Sequence, residues 1–134
     1  MKKIYTSIDS EEYRPDAPTD LILNGWMASA DPTPLKIQIL ADGAPIPFRG
    51  ERKARPDVIQ SIEELSDISS DQVGFVLTIP GMDRLWETDS TFQVLAVRGV
   101  EQKILWEKTA AQIREEYGGR TLKYKLDTVR PWGG

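Results

Sequence analysis

Apolar and polar residues alternate along most of the chain, which is the period of a β-strand with one buried face. Residues 35–40 give the clearest case, because Leu35, Ile37 and Ile39 face one side while Lys36 and Gln38 face water. Residues 1–9 alternate weakly and are a candidate opening edge strand, followed by a connection over 11–20. Further strands are predicted in these segments: 21–30, 73–80, 91–99 and 102–109.

Turn residues connect these strands. Asp42 and Gly43 are the pair that a two-residue type I′ hairpin needs, because both central positions take positive φ. The return strand is predicted over 45–52, and its prolines at alternate positions place it at a sheet edge. A second hairpin is expected between the last two strands, and the strand 91–99 is apolar on both faces, which predicts a central position.

Two short helices interrupt the strand pattern. Pro56 suits the first position of a helix, and Asp57 in the first turn complements the helix dipole. We therefore interpret the corner formed by Arg55, Pro56 and Asp57 as structural, with Arg55 and Asp57 satisfying buried backbone or each other. The second helix starts with a capping box at Thr109 and Gln112.

Several short antiparallel strands with frequent turns predict an all-β fold, an antiparallel β-sandwich of immunoglobulin-like or jelly-roll-like type with one or two short helices. The sandwich domain is assigned to residues 1–119. Residues 120–134 fit either a last strand or a helix, followed by a linker toward a downstream domain.

Composition narrows the function classes. The chain has 134 residues and a formal charge of −4, so it lacks the basic footprint of a nucleic-acid binder. Arg49, Arg52, Lys53 and Arg55 form a local basic cluster, interpreted as a solvated strand face. No apolar segment approaches transmembrane length and no signal peptide is recognisable, which favours a cytoplasmic domain.

Candidate chemistry is sparse. With no cysteine and no histidine, the chain lacks disulfides, thiolate chemistry and the commonest general base and metal ligand. Its carboxylate pairs lie in predicted loops or on exposed helix faces, and no enzyme signature, metal motif or cofactor motif is present. The sequence therefore predicts a protein with no catalytic residues, no metal and no cofactor.

Aromatic residues are the remaining candidates for ligand binding, because sugar rings pack their C–H faces on π-faces. Trp86, in a predicted polar loop, could form such a site with Arg84 and Asp83. Tyr13 is a further candidate in the predicted connection 11–20, and the Arg55/Asp57 corner is an alternative location.

An ordered set of short motifs runs through residues 24–80: Gly25-Trp26, Asp42-Gly43, Arg55-Pro56-Asp57-Val58 and Gly74-Phe75. This order resembles the β-sandwich domain that precedes the catalytic domain in many bacterial family 2 glycosyltransferases, including enzymes that build rhamnose-containing and other cell-surface polysaccharides. The sequence departs from that pattern at Met27, and no Asp-x-Asp metal motif follows a strand.

The resemblance implies a non-catalytic accessory module, attached to a downstream glycosyltransferase catalytic domain and acting in the cytoplasm near the inner membrane face. Such a module would bind glycan or position the catalytic domain. The alternative from the residues themselves is a protein–protein interaction module with no carbohydrate ligand, which would use the edge strand 45–52 or the basic corner.

Overall fold

The structure is a computed structural model, and it describes residues 3–14, 19–31, 34–65 and 72–118. Its strands are β1 (Tyr5–Arg14), β2 (Asp20–Ala28), β3 (Lys36–Ala41), β4 (Ala44–Pro45), β5 (Arg49–Lys53), β6 (Gly74–Pro80), β7 (Thr91–Arg98) and β8 (Glu101–Thr109). Its helices are α1 (Pro56–Ser61), α2 (Met82–Leu85) and α3 (Ala110–Ile113), with a 3₁₀ turn at Glu63–Leu65 and a π-helical turn at Arg114–Gly118.

The described strands form two antiparallel four-stranded sheets. The first sheet has the order β1-β2-β6-β5 and the second has the order β4-β3-β7-β8. This arrangement confirms the predicted all-β sandwich. An immunoglobulin-type sandwich packs a sheet of strand order A-B-E-D against a sheet of strand order C-F-G. Here β1, β2, β6 and β5 correspond to A, B, E and D, and β3, β7 and β8 correspond to C, F and G. The short strand β4 is an addition next to β3.

The main core lies between the two sheets. Each sheet contributes every second side chain of its central strands, as the alternation in the sequence predicts. The buried residues of the central strands are Leu21, Leu23, Met27, Ile39, Phe75, Leu77, Ile79, Phe92, Val94 and Ala96. The strand β7 lies between β3 and β8, so its predicted central position is confirmed.

A second, smaller core covers part of the outer face of the first sheet. Val58 of α1 and Leu65 of the 3₁₀ turn pack against Ala28 and Val73. Trp26, which projects from the outer face of β2, is half-buried against this cluster. The predicted helix start at Pro56 and its buried stripe are therefore confirmed, although the helix ends at Ser61 and the stripe continues through the 3₁₀ turn.

Two predicted strand boundaries are wrong. β1 continues to Arg14 because residues 10–14 pair with β2, so the predicted connection starts later than residue 11. The φ angles of Asp42 and Gly43, 50° and 82°, fit the predicted type I′ turn. The predicted return strand 45–52 is not one strand, however, because β4 ends at Pro45. The chain then crosses to the other sheet and resumes as β5.

Two predictions concern residues outside the described ranges. The predicted last strand or helix at 120–134 and the polar loop at 66–71 lie outside the described residues. Within the described ranges, no helix has the length and apolar character needed to cross a lipid bilayer.

Candidate functional site

The corner formed by Arg55, Pro56 and Asp57 is held by the ion pairs of Arg55. The Arg55 guanidinium donates to both carboxylate oxygens of Asp57, each at 3.0 Å, and to Oδ2 of Asp9 at 2.9 Å. Asp9 lies at a bulge in β1, where the pairing register with β2 shifts. The bulge turns an extra residue toward the corner, so Arg55 connects β1 to the start of α1.

Two glycines let this corner pack closely. A Cβ atom at Gly74 would lie 2.6 Å from Cγ of Arg55, so the aliphatic stem of Arg55 occupies the space that a side chain at 74 would need. A Cβ atom at Gly25 would lie 2.3 Å from the carbonyl oxygen of Ser7 and 3.0 Å from the Phe75 ring. The motif residues Gly25, Arg55, Gly74 and Phe75 therefore have packing roles in one region of the sandwich.

Substituting Asp57 tests the structural role of the corner. Hydrogen bonds from Arg55 hold the pKa of Asp57 below its usual value, so the pair stabilises the fold above the ordinary aspartate pKa and loses that contribution in acid. We expect Asp57→Ala to lower the melting temperature by a few degrees at most, because the pair is solvent-exposed. The difference from wild type should shrink as the pH falls below about 4. Melting curves at neutral and acidic pH would measure this, with Glu63→Ala as a control, and an unchanged melting temperature at pH 7 would contradict it.

The predicted aromatic ligand residues are buried. The Trp86 side chain follows α2 and is 5% exposed, and Tyr13 lies in β1 and is 8% exposed. Their ring centroids are 5.3 Å apart, and Tyr117 stacks on Tyr13, with their ring centroids 5.2 Å apart. Trp86 does lie in a turn, whereas the prediction that Tyr13 lies in a connection is wrong. Both rings are buried, so neither offers an open face on which a sugar could stack.

Asp83 is hydrogen-bonded within the protein, whereas Arg84 is exposed to solvent. Asp83 accepts a hydrogen bond from the Thr19 hydroxyl and its backbone N–H donates to the same hydroxyl at 3.0 Å, which ties α2 to the start of β2. The Arg84 side chain is exposed. The described residues also form an apolar and a polar groove on the surface of the sandwich. Their linings include none of Asp83, Arg84, Trp86 and Tyr13.

A polar cluster centred on Glu11 closes one lateral side of the sandwich. The Glu11 carboxylate accepts hydrogen bonds from Trp106 Nε1 at 2.8 Å, from Lys108 Nζ at 2.9 Å and from the Tyr117 hydroxyl. Lys108 also binds Glu116 at 2.7 Å. Because Glu11 belongs to β1 and its donors to β8 and the π-helical turn, these bonds connect the two sheets.

The pKa of Glu11 reflects two opposed effects. Burial alone would raise it, but the hydrogen bonds from Tyr117, Lys108 and Trp106 together outweigh burial and lower the pKa below its usual value. Burial would likewise lower the pKa of Lys108, whereas its bonds to Glu116 and Glu11 raise it. Both groups are therefore charged across the physiological range.

This cluster was not predicted from the sequence, because the acidic pairs Glu11-Glu12 and Glu115-Glu116 lie in a predicted connection and on a predicted exposed helix face, which indicated solvated surface. A useful signal was present in the spacing. Glu11 and Tyr13 are two residues apart on one strand, as are Trp106 and Lys108 on another, so each pair shares a strand face. An acid that shares a face with a buried aromatic residue is a candidate for a paired, buried carboxylate.

None of the described residues closes the opposite lateral side of the sandwich, which is called the open lateral side below. There β5 and the first half of β3 run along the edges of the two sheets, since β4 pairs only with the end of β3. A groove of about 320 Å³ enters between them. Apolar side chains line its floor and charged residues lie at its mouth: Leu35, Ile37, Phe48, Phe75 and Leu77, with Lys36, Glu51 and Arg52.

The cation at the mouth of this groove lacks an acidic partner among the described residues. Arg52 Nη2 donates to the carbonyl oxygen of Leu35 at 3.2 Å, and no described carboxylate forms an ion pair with it. Desolvation lowers the pKa of Arg52 from its usual value, although the guanidinium stays charged. A partly desolvated cation beside an apolar groove is suited to a carboxylate that accompanies an apolar group.

A second, more polar groove lies on the uncovered half of the outer face of the first sheet. Its volume is about 360 Å³ and its lining is mostly charged or polar: Glu12, Arg14, Ile22, Asn24, Arg49, Glu51, Val76 and Thr78. No aromatic ring belongs to this lining. In the described part of the chain, no group of three acidic, histidine or cysteine side chains is arranged to hold a metal ion.

Comparison with known proteins adds no assignment. No family model matches the chain, and no significant match was found to a curated protein or to a solved structure.

Proposed function

We propose that this β-sandwich is a non-catalytic accessory module that works by protein–protein contact through its open lateral side, and that the protein it serves is a bacterial glycosyltransferase. The transferase part of the proposal rests on the motif resemblance over residues 24–80. The interaction part rests on one structural observation, the difference between the two lateral sides of the sandwich.

The two lateral sides differ in how far their polar and apolar groups are satisfied by contacts within the protein. The Glu11 cluster saturates one side with hydrogen bonds, whereas the other side leaves an apolar groove beside an edge strand whose five residues, Arg49–Lys53, are all exposed. A monomer gains nothing from leaving apolar groove surface in water, whereas a partner that buries this surface gains its transfer free energy. Positioning a catalytic domain by such a contact requires no catalytic residues in the module.

Glycan binding is the weaker form of the accessory role. The rings proposed from sequence as a stacking platform, Trp86 and Tyr13, are enclosed in the core, and the exposed polar groove has no aromatic lining. We therefore propose positioning of the catalytic domain in preference to carbohydrate recognition. Binding of a cell-surface polysaccharide precursor to the 134-residue protein in calorimetric titration would reverse this preference.

The transferase context can be tested independently of any contact surface. We expect the coding sequence beyond residue 134, or an adjacent gene, to encode a nucleotide-sugar transferase domain, and we expect that domain to associate with the 134-residue protein in sedimentation velocity experiments. Association that survives the triple variant Arg49→Ala/Arg52→Ala/Lys53→Ala would locate the contact elsewhere on the sandwich. If no transferase domain is encoded nearby, the glycosyltransferase assignment is wrong.

A further inference from the structure

The open lateral side also suggests what kind of segment it binds. We propose that β5 accepts an extended acidic segment of the partner as an additional antiparallel or parallel strand, with alternate apolar side chains of that segment entering the groove between β5 and β3. This inference rests on the proposed interaction function and specifies its chemistry.

The backbone supplies the first argument. Among the described strands, β5 pairs with β6 and has no partner on its other side. Its outer backbone N–H and C=O groups therefore have no strand partner among the described residues and can form a new ladder, which is how extended peptides add to sheet edges. The strand holds no proline between Arg49 and Lys53, so every one of its residues keeps a backbone donor.

Alternation along β5 supplies the second argument. By strand alternation, Arg49, Glu51 and Lys53 belong to the outer face of the sheet and Gly50 and Arg52 to the face toward the groove. Gly50 and Arg52 line that groove, and Glu51 borders both grooves. Side chains of an added strand alternate in the same way. One set would lie over the groove lined by Ile37 and Phe48, and the other set would lie beside Arg49 and Lys53 on the outer face.

Charge supplies the third argument. Residues 49–53 carry a net charge of +2, although the whole chain carries −4. Acidic side chains directly opposite Arg49 and Lys53 would form cross-strand ion pairs, and a further carboxylate could reach Arg52, which has no acidic partner among the described residues. The C-terminal segment 119–134 is a poor occupant because its own net charge is +3. The favoured occupant is therefore an acidic, alternating segment of another protein.

Selection of peptides tests this specificity. A displayed library of random nonapeptides would be selected on the 134-residue protein, and we expect the bound pool to be enriched in alternating acidic and apolar residues. Binding of the selected peptides should weaken at least tenfold in Arg49→Glu/Lys53→Glu and should fall with rising salt. The matched control Lys3→Glu/Arg84→Glu makes the same charge change at exposed positions that line neither groove and should leave binding unchanged. A basic or neutral pool, or equal binding to both double variants, would overturn the proposal.

Two further measurements separate strand addition from simple charge attraction. N-methylation of the selected peptide at one alternate set of residues should abolish binding, whereas methylation of the other set should not, because only one set of N–H groups faces β5. Ile37→Glu should also weaken binding at least tenfold, whereas Gln38→Glu on the opposite face of β3 should not. Tolerance of methylation at both sets would exclude strand addition. Association with a transferase domain that persists in Arg49→Glu/Lys53→Glu would reject this inference and would leave standing only the accessory role, through a contact that does not use the β5 charges.

Discussion

Replacing Trp86 by alanine is expected to destabilise the fold by about 3–5 kcal/mol, the usual cost of removing a large aromatic side chain from a core. The ring is 5% exposed and packs against Tyr13, which in turn stacks on Tyr117. The substitution would leave a cavity at the end of the sandwich where α2 and the π-helical turn meet β1. Equilibrium urea unfolding at pH 7 would measure the effect as a lower midpoint at unchanged slope.

Controls distinguish packing from a ligand role for this residue. Arg84→Ala, an exposed neighbour on α2, should change the stability by less than about 0.5 kcal/mol. Trp86→Phe keeps most of the buried ring and should cost less than Trp86→Ala. A Trp86→Ala protein of wild-type stability that had lost affinity for a polysaccharide precursor would contradict the structural role and restore the stacking site inferred from sequence.

Comparison of Trp86 with the correctly predicted elements shows which structural features can be predicted from sequence patterns. The strand β6 was predictable because Phe75, Leu77 and Ile79 alternate with less buried residues and Pro80 ends it. The turn at Asp42–Gly43 and the capping box at Thr109 were predictable because each depends on local backbone chemistry. Local signals of this kind act over a few residues, so one sequence is sufficient to show them.

Features that depend on distant residues were not predictable in the same way. Alternation continues through residues 45–52 although the chain changes sheets there, because Ile46 and Phe48 pack on the core from the crossing segment. Periodicity reports which side chains are buried but not which sheet they belong to. Trp86 has polar neighbours, Arg84 and Glu87, so its sequence context resembles a surface loop. Its ring is buried by contacts with residues distant in sequence, such as Tyr13 of β1.

The same limit applies to the candidate site. The basic residues of β5 were visible in the sequence and were interpreted there as a solvated strand face. The prolines of residues 45–52 predicted an edge position, and β5 does lie at a sheet edge, but the apolar groove beside it has no sequence signature, and the groove changes the significance of these residues. The Asp9–Arg55 ion pair also joins residues 46 positions apart, which alternation along one strand does not reveal.

Replacing Glu11 by alanine is expected to destabilise the fold by about 2–4 kcal/mol at pH 7. The substitution leaves the Trp106 indole N–H and the Tyr117 hydroxyl without their acceptor, and an unsatisfied buried donor costs about 1–3 kcal/mol. Lys108 keeps Glu116 as a partner, which limits the loss. Urea unfolding would measure the effect, and Glu12→Ala on the exposed face of the same strand should stay within about 0.5 kcal/mol of wild type.

The pH dependence of this effect follows from the lowered pKa of Glu11. A carboxylate whose pKa is lower in the folded than in the unfolded state stabilises the fold above its unfolded value, near 4.3, and loses that contribution as the pH falls through the folded value. Glu11→Gln keeps the size of the side chain but lacks this charge, so the stability difference from wild type should be constant above about pH 5 and should decrease below it. A difference that stayed the same down to pH 3 would show that the Glu11 cluster contributes through shape and packing rather than through the ionised carboxylate.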